Sequence, residues 1–183
     1  AHLERDFAFG VVRQLFEPYL ASLSTAERDE ALSGTAGLAE RLFGDEELTG
    51  AAAGDVSFAV LHGLYWLAAN LAADGPLVLL VDDLQWCDSG SLRFLTYLAR
   101  RLDTLPVLLV GTIRTGEQHD DELLLADLYD VAGAPLRPEP LSAGAHRLLE
   151  VLLILGDRGL QRLVDPGEGH PRGAVGVGHQ GDG

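Results

Sequence analysis

Five consecutive apolar residues, Leu77-Val78-Leu79-Leu80-Val81, end abruptly in two carboxylates, Asp82 and Asp83. A run of Leu and Val without polar alternation, entered through Gly75-Pro76, predicts a strand buried on both faces, as in a parallel α/β sheet. A second run of the same kind, Val107-Leu108-Leu109-Val110-Gly111-Thr112, follows Pro106. Between them Leu92, Leu95, Ala99 and Leu102 recur at helical spacing, with Arg93, Arg100 and Arg101 on the other side. A helix is therefore predicted over 90–102, capped by Asp88 or Ser89. Strand, helix and strand within about 35 residues make a βαβ unit. The two strands are expected to be adjacent and parallel, with the helix packed across them.

The flanking segments are mostly helical in pattern. Val12, Leu15, Phe16, Tyr19 and Leu23 predict a helix over 7–23, which Pro18 is expected to kink or shorten. Ser24-Thr25-Ala26-Glu27 is a capping box, and the helical region it opens is weakened by Gly34 and Gly37 and stops at Phe43-Gly44. Residues 44–54 are acidic and Gly/Ala-rich and predict a surface loop. Asp55 is placed to cap a third helix with Phe58, Leu61, Tyr65, Ala68 and Leu71 as its buried stripe, ending at Asp74-Gly75. Beyond the second strand a helix is predicted over about 120–131, and Ser142 caps another running to Leu155. Three prolines limit 134–141 to a short edge strand. From Gly156 the composition shifts, and from Pro166 glycine dominates without period, which predicts a poorly ordered tail.

Composition narrows the function classes. With 47% hydrophobic residues over 183 positions, the chain can build one substantial core. No apolar run approaches the roughly 18 residues of a membrane span, and no basic-then-apolar leader opens the chain. A net charge of −15 argues against a direct grip on a nucleic-acid backbone. Cys87 is the sole cysteine, so no internal disulfide forms and a reducing cytoplasm is the expected setting. Methionine is absent even at position 1, and the chain reads as a piece of something longer.

The chemistry lies at the strand ends. Ligands of parallel sheets sit at the carboxyl ends of the strands. Asp82 and Asp83 fall there, in the pattern of a Walker B strand whose aspartate holds Mg²⁺ at nucleotide phosphates. The plainer alternative is a strand ending in a polar turn. The second strand ends in Thr112-Ile113-Arg114, so Asp82, Asp83 and Arg114 are expected to converge. Two carboxylates and a guanidinium suit a metal–phosphate site, whereas a structural ion pair between Asp83 and Arg114 is the competing reading. The histidines show no zinc spacing, and Cys87 has no histidine placed to activate it.

The segments Leu79-Leu80-Val81-Asp82-Asp83-Leu84-Gln85-Trp86-Cys87-Asp88, Ser91-Leu92-Arg93-Phe94-Leu95 and Leu109-Val110-Gly111-Thr112-Ile113-Arg114 resemble the ATPase domain of large bacterial LuxR-type regulators. These belong to the STAND class of ATPases, related to AAA+ proteins. Asp6-Phe7-Ala8-Phe9-Gly10-Val11-Val12-Arg13-Gln14-Leu15-Phe16 is similar to their segment after the P-loop region. The resemblance implies an α/β fold, a partial P-loop NTPase with a parallel sheet flanked by helices, over 1–155. That span holds a Walker B strand at 77–83, a sensor strand at 107–114 and a helical N-terminal region, and 156–183 follow as an irregular Gly-rich tail. It further implies ATP and Mg²⁺ as cofactors, with Asp82 on the metal and Asp83 positioning the attacking water. Arg114, in the Thr112-x-Arg114 sensor, would read the γ-phosphate, with Thr112 beside it in the nucleotide site. Partners would be ATP or ADP and other domains of a parent regulator. Trp86 and Asp88 match the family's Gln-Trp-x-Asp segment, with a structural role equally open.

Two departures accompany the resemblance. No G-x-x-x-x-G-K-[ST] pattern is present and no lysine stands in such a context, so the phosphate cradle is missing. The family places that loop just ahead of this sequence, which suggests an N-terminally truncated chain. Its strand would lie beside the sensor strand, so the 107–112 strand is expected to keep an uncovered edge and 135–137 to lack a neighbour. Second, Gly169-His170-Pro171 stands where the family has a Gly-Asn-Pro element, but the run after it does not resemble the family's apolar helix, as a frameshifted or unrelated tail would not. Three functions remain open: a nucleotide switch domain, a non-catalytic α/β scaffold that binds partners, and an unrelated α/β enzyme using Asp82 or Asp83 as acid or base.

Overall fold

The computed structural model describes residues 8–44, 58–114, 121–132, 135–138, 149–155 and 174–177. Strands β1 (Leu77–Val81) and β2 (Val107–Arg114) are adjacent and parallel, in register from Leu77 opposite Val107 to Val81 opposite Gly111. That is the expected pairing. Their burial is one-sided. Leu77, Leu79 and Val81, with Val107, Leu109 and Ile113, join the core formed with the helices. On the opposite face Val78, Leu108 and Val110 are half-buried and Leu80 is exposed. A continuous Leu/Val run thus does not distinguish a strand covered on both faces from one covered on a single face.

The sheet has four strands in the order β3-β2-β1-β4. Strand β3 (Leu149–Leu155) runs antiparallel along β2 from Leu108 opposite Leu155 to Arg114 opposite Leu149. Two expectations are corrected here. The predicted helix ending at Leu155 is a strand over its last seven residues, Leu-Glu-Val-Leu-Leu-Ile-Leu. The edge of β2 is also covered along its length, and Leu136 is not neighbourless but bridges to Val151. The physical reason is shared. An open ladder edge offers unpaired N–H and C=O groups, and a continuous apolar run with Val151 and Ile154 suits a pleated, half-buried surface better than one helical face. The sheet is therefore mixed, not wholly parallel. Strand β4 (Ala174–Val177), within the tail expected to be irregular, lies parallel to β1.

Helix α1 (Gly10–Ser22) passes through Pro18 without stopping. Pro18 and Gln14, whose carbonyl loses its helical donor, both face solvent, so water can take the freed acceptor. The capping box forms as expected. Ser24 Oγ accepts from Glu27 N while Glu27 Oε2 accepts from Ser24 N at 2.9 Å, opening α2 (Thr25–Ala31). The helical region then breaks at Gly34, whose φ of +61° is the left-handed conformation glycine adopts without strain, and resumes as a 3-10 segment, Gly34–Phe43. Helix α4 (Ser89–Ala99) is capped by Asp88, with Leu92, Leu95 and Ala99 buried, and Leu102 is buried in the turn that follows. Helix α5 spans Glu122–Ala132. Most of the expected 44–54 loop, the Asp55 cap, residues 142–148 and the tail outside β4 lie beyond the described residues.

Helix α3 (Phe58–Leu71) forms with a rotated stripe. Val60, Leu64, Leu67, Ala68 and Leu71 are buried, Leu61 and Tyr65 only partly, and Phe58 is 66% exposed. The helix is apolar on nearly every side, so periodicity could not select the buried face. Gly63 selects it instead. A Cβ there would stand 2.7 Å from the backbone nitrogen of Ala39 and 3.0 Å from Leu38 Cβ, so the 3-10 segment packs directly on the helix backbone. Gly63→Ala should therefore destabilise the protein by about 1–3 kcal/mol through overpacking. Helix propensity alone predicts a gain of about 1 kcal/mol. Chemical denaturation decides by the sign.

Candidate functional site

Each β1–β2 strand end contributes to one polar cluster. The last β1 pair is Val81 with Gly111, and beyond it the ladder gives way to side-chain bonds. The Thr112 hydroxyl accepts from the backbone N–H of Asp83 at 2.9 Å and donates to Asp82 Oδ1. It thereby pins the turn after β1 against β2. Asp83 takes a left-handed conformation, φ 56°, which Asp tolerates better than a branched residue. Its carbonyl accepts from Trp86 N at 2.8 Å, closing the short 3-10 turn Leu84–Trp86. That geometry sends the two neighbouring carboxylates to different places.

Asp82 is exposed, whereas Asp83 is only 4% exposed. Asp83 Oδ2 accepts from Arg114 Nη2 at 2.8 Å and Oδ1 accepts from Gln85 Nε2 at 2.9 Å. The Gln85 carbonyl accepts in turn from the backbone N–H of Arg114 at 3.2 Å. Gln85 is buried, so its amide acts as a substitute rung joining the end of β1 to the end of β2. Among the sequence candidates, Asp82, Asp83, Thr112 and Arg114 do come together, in one hydrogen-bonded chain. Gln85 was not singled out. The available signal was a polar residue between Leu84 and Trp86 directly after the carboxylates.

Asp82 and Thr112 present oxygen ligands at the open side of this cluster. Mg²⁺ is typically held by one or two carboxylates together with phosphate oxygens and water. An exposed carboxylate oriented by a hydroxyl fits that ion, and Asp83, already paired, does not compete for it. Among the described residues no group of three or more His, Cys, Asp or Glu side chains is arranged to hold a metal by itself. Any ion here would need oxygen atoms from a ligand.

Asp88 and Ser91 form a second polar cluster. Asp88 Oδ1 accepts from Ser91 N at 2.9 Å and from Phe9 N at 2.8 Å. Its Oδ2 accepts from the Ser91 hydroxyl at 2.6 Å and from Val11 N at 3.3 Å, and Ser91 Oγ accepts from Val12 N at 3.1 Å. One buried carboxylate thus serves the amino-terminal ends of both α4 and α1, where exposed N–H groups and helix dipoles favour negative charge. Phe9 is held at φ 65°, an uncommon conformation for a bulky residue, by the same contacts. The match of Asp88 to a family segment is therefore accounted for structurally. Burial pushes the Cys87 thiol up, and the neighbouring Asp88 carboxylate adds to the effect, so Cys87 is an inert core thiol.

No helix among the described residues is long and apolar enough to cross a membrane. The profile of the AAA ATPase domain matches residues 1–110, more than half of the chain. It includes Asp82, Asp83, Gln85 and Asp88 and stops short of Thr112 and Arg114. No curated protein and no solved structure matches the chain.

Proposed function

The chain belongs to the AAA ATPase domain family, and from that premise we propose that it is the ATP-binding switch segment of a LuxR-type transcriptional regulator of the STAND class. In this reading Asp82 holds Mg²⁺, which neutralises phosphate charge when nucleotide is bound. Asp83 orients the attacking water and Arg114 contacts the third phosphate, with Thr112 fixing the Asp82 carboxylate. The observation that carries the reading is the division of labour between the two carboxylates. Asp82 stays open while Thr112 orients it, and Asp83 is buried against the guanidinium that would otherwise reach a phosphate. Binding of a third phosphate would compete with Asp83 for Arg114, which gives the site two states of the kind nucleotide switches use.

A second reading rests on the same pair. Asp83 and Arg114 satisfy each other without a ligand, and the sequence contains neither a lysine nor a P-loop pattern. A scaffold that binds partners and no nucleotide would look the same. Both readings agree that the 183-residue chain alone should not hydrolyse ATP measurably. Preorganised groups such as Asp82 and Arg114 each contribute a few kcal/mol to a phosphate site, and they do not replace the loop that holds the β- and γ-phosphates. Phosphate-release assays on the purified chain check this. Turnover that disappears in Asp83→Asn would overturn it.

A further inference from the structure

On the outer side of α3 and α4 lies an aromatic cluster that the strand-end site does not use. The rings of Phe58, His62 and Tyr65 run nearly parallel, at interplanar angles of 13° and 7° between successive members, with centroids 5.6 and 6.4 Å apart. Trp66 stands edge-on to His62 and to Tyr65, and Tyr97 packs edge-on against Phe58 and Tyr65. Both nitrogens of His62 are engaged. Nε2 lies 3.1 Å from Trp66 Nε1, and Nδ1 lies 3.1 Å from the Tyr97 hydroxyl.

The donor inventory removes the usual ambiguity. An indole N–H can only donate, so His62 Nε2 must be the bare, accepting nitrogen. The proton of the neutral ring therefore sits on Nδ1 and is donated to Tyr97 Oη. This is the opposite of the Nε2–H tautomer that an unconstrained histidine side chain prefers in water. Protonation would put a second N–H on Nε2, facing the N–H of Trp66, and two donors cannot share one bond. Trp66 is 41% exposed, so its indole has solvent to turn into.

From this geometry we propose that His62 is an acid-operated latch: the neutral imidazole pins Trp66 against α3, and protonation releases it. Among the described residues, the titratable and charged groups around the latch are Tyr65 on α3 and Tyr97 and Arg101 on α4. On the 3-10 segment, Glu40 and Arg41 line a hollow with Ala59, one turn from His62. The Arg101 guanidinium lies 3.7 Å from the Tyr97 ring centroid and bonds the Tyr97 carbonyl at 3.0 Å, holding the tyrosine that receives the Nδ1 proton. No carboxylate among the described contacts touches the imidazole, and a charged ring would face only the stacked rings of Phe58 and Tyr65. Acid would then alter the exposed aromatic face bearing Phe58 and Trp66.

Nitrogen-15 NMR of the chain tests this without any ligand. While its ring is neutral, His62 should show a protonated Nδ1 and a bare Nε2, with the Trp66 indole N–H at a hydrogen-bonded position. Once the pH is low enough for the nitrogen-15 shifts to show both ring nitrogens protonated, the Trp66 resonance should stand at an unbonded position, with far-UV circular dichroism unchanged. His62→Phe should hold that resonance at its unbonded position throughout. Should that variant not fold, Trp66→Phe serves instead, and His62 should then lose its Nδ1–H preference. An Nε2–H tautomer in the neutral ring, or a Trp66 resonance indifferent to protonation of His62, would overturn the latch.

Discussion

Asp88→Ala is expected to lower stability by about 2–4 kcal/mol, because this one buried carboxylate serves the starts of two helices. Loss of an N-cap carboxylate costs about 0.5–2 kcal/mol by itself. Here the same carboxylate also satisfies the buried N–H of Phe9 at 2.8 Å and faces that of Val11, so its removal orphans donors at the start of a second helix. A buried donor left without a partner costs about 1–3 kcal/mol. Ser91 loses its acceptor as well, and its hydroxyl in turn positions Val12 N. Asn in the same place keeps one acceptor oxygen and the shape, so Asp88→Asn should recover roughly half of the loss. Urea titration of the two variants gives both numbers. An Asp88→Ala variant within about 0.5 kcal/mol of the parent would mean that α1 is not anchored through this carboxylate.

The ends of the two central strands were legible because several independent signals agreed on them. An apolar run, a bounding Gly-Pro, a cap at Asp88 and a second apolar run admit essentially one short βαβ arrangement. The capping box of Ser24 and Glu27 was legible for a similar reason, since its chemistry is complete within four residues. The buried face of α3 was not legible. Where Val60, Leu61, Leu64, Tyr65, Leu67 and Leu71 are all apolar, the face is chosen by what approaches it, and the close approach at Gly63 comes from residues more than twenty positions earlier. Leu149–Leu155 was misread for a related cause. Its residues suit helix or strand, and the open edge of β2, a tertiary fact, decided. The strand-end cluster was legible in membership and not in wiring. Sequence placed Asp82, Asp83, Thr112 and Arg114 together, but the left-handed turn at Asp83 determines which carboxylate meets the arginine.

That wiring sets the sharpest expectation for nucleotide binding. With a P-loop segment joined ahead of Ala1, Asp82→Ala should abolish Mg²⁺-dependent binding of ATP and ADP alike. In the proposed reading its open carboxylate, which accepts from Thr112, would serve both nucleotides through the ion. Arg114→Ala should instead act on ATP alone, because a third phosphate is what would draw the guanidinium from Asp83. A charge-assisted hydrogen bond of this kind is worth about 1.5–3 kcal/mol, so the preference for ATP should fall roughly ten- to a hundredfold. The resting pair works against part of that gain. Arg114 leaves a buried carboxylate when it turns to phosphate, and Asp83 then keeps only the Gln85 amide at 2.9 Å. The apo protein should accordingly lose stability in Arg114→Ala, by less than a fully buried pair would imply, since the arginine is 34% exposed and screened by solvent. Calorimetric titration with ATP and with ADP, beside thermal melts of the same variant, separates the two readings. Selective loss of ATP affinity supports the switch. Equal losses for both nucleotides with a lowered melting temperature leave Arg114 as a structural partner of Asp83 and the γ-phosphate sensor role without support.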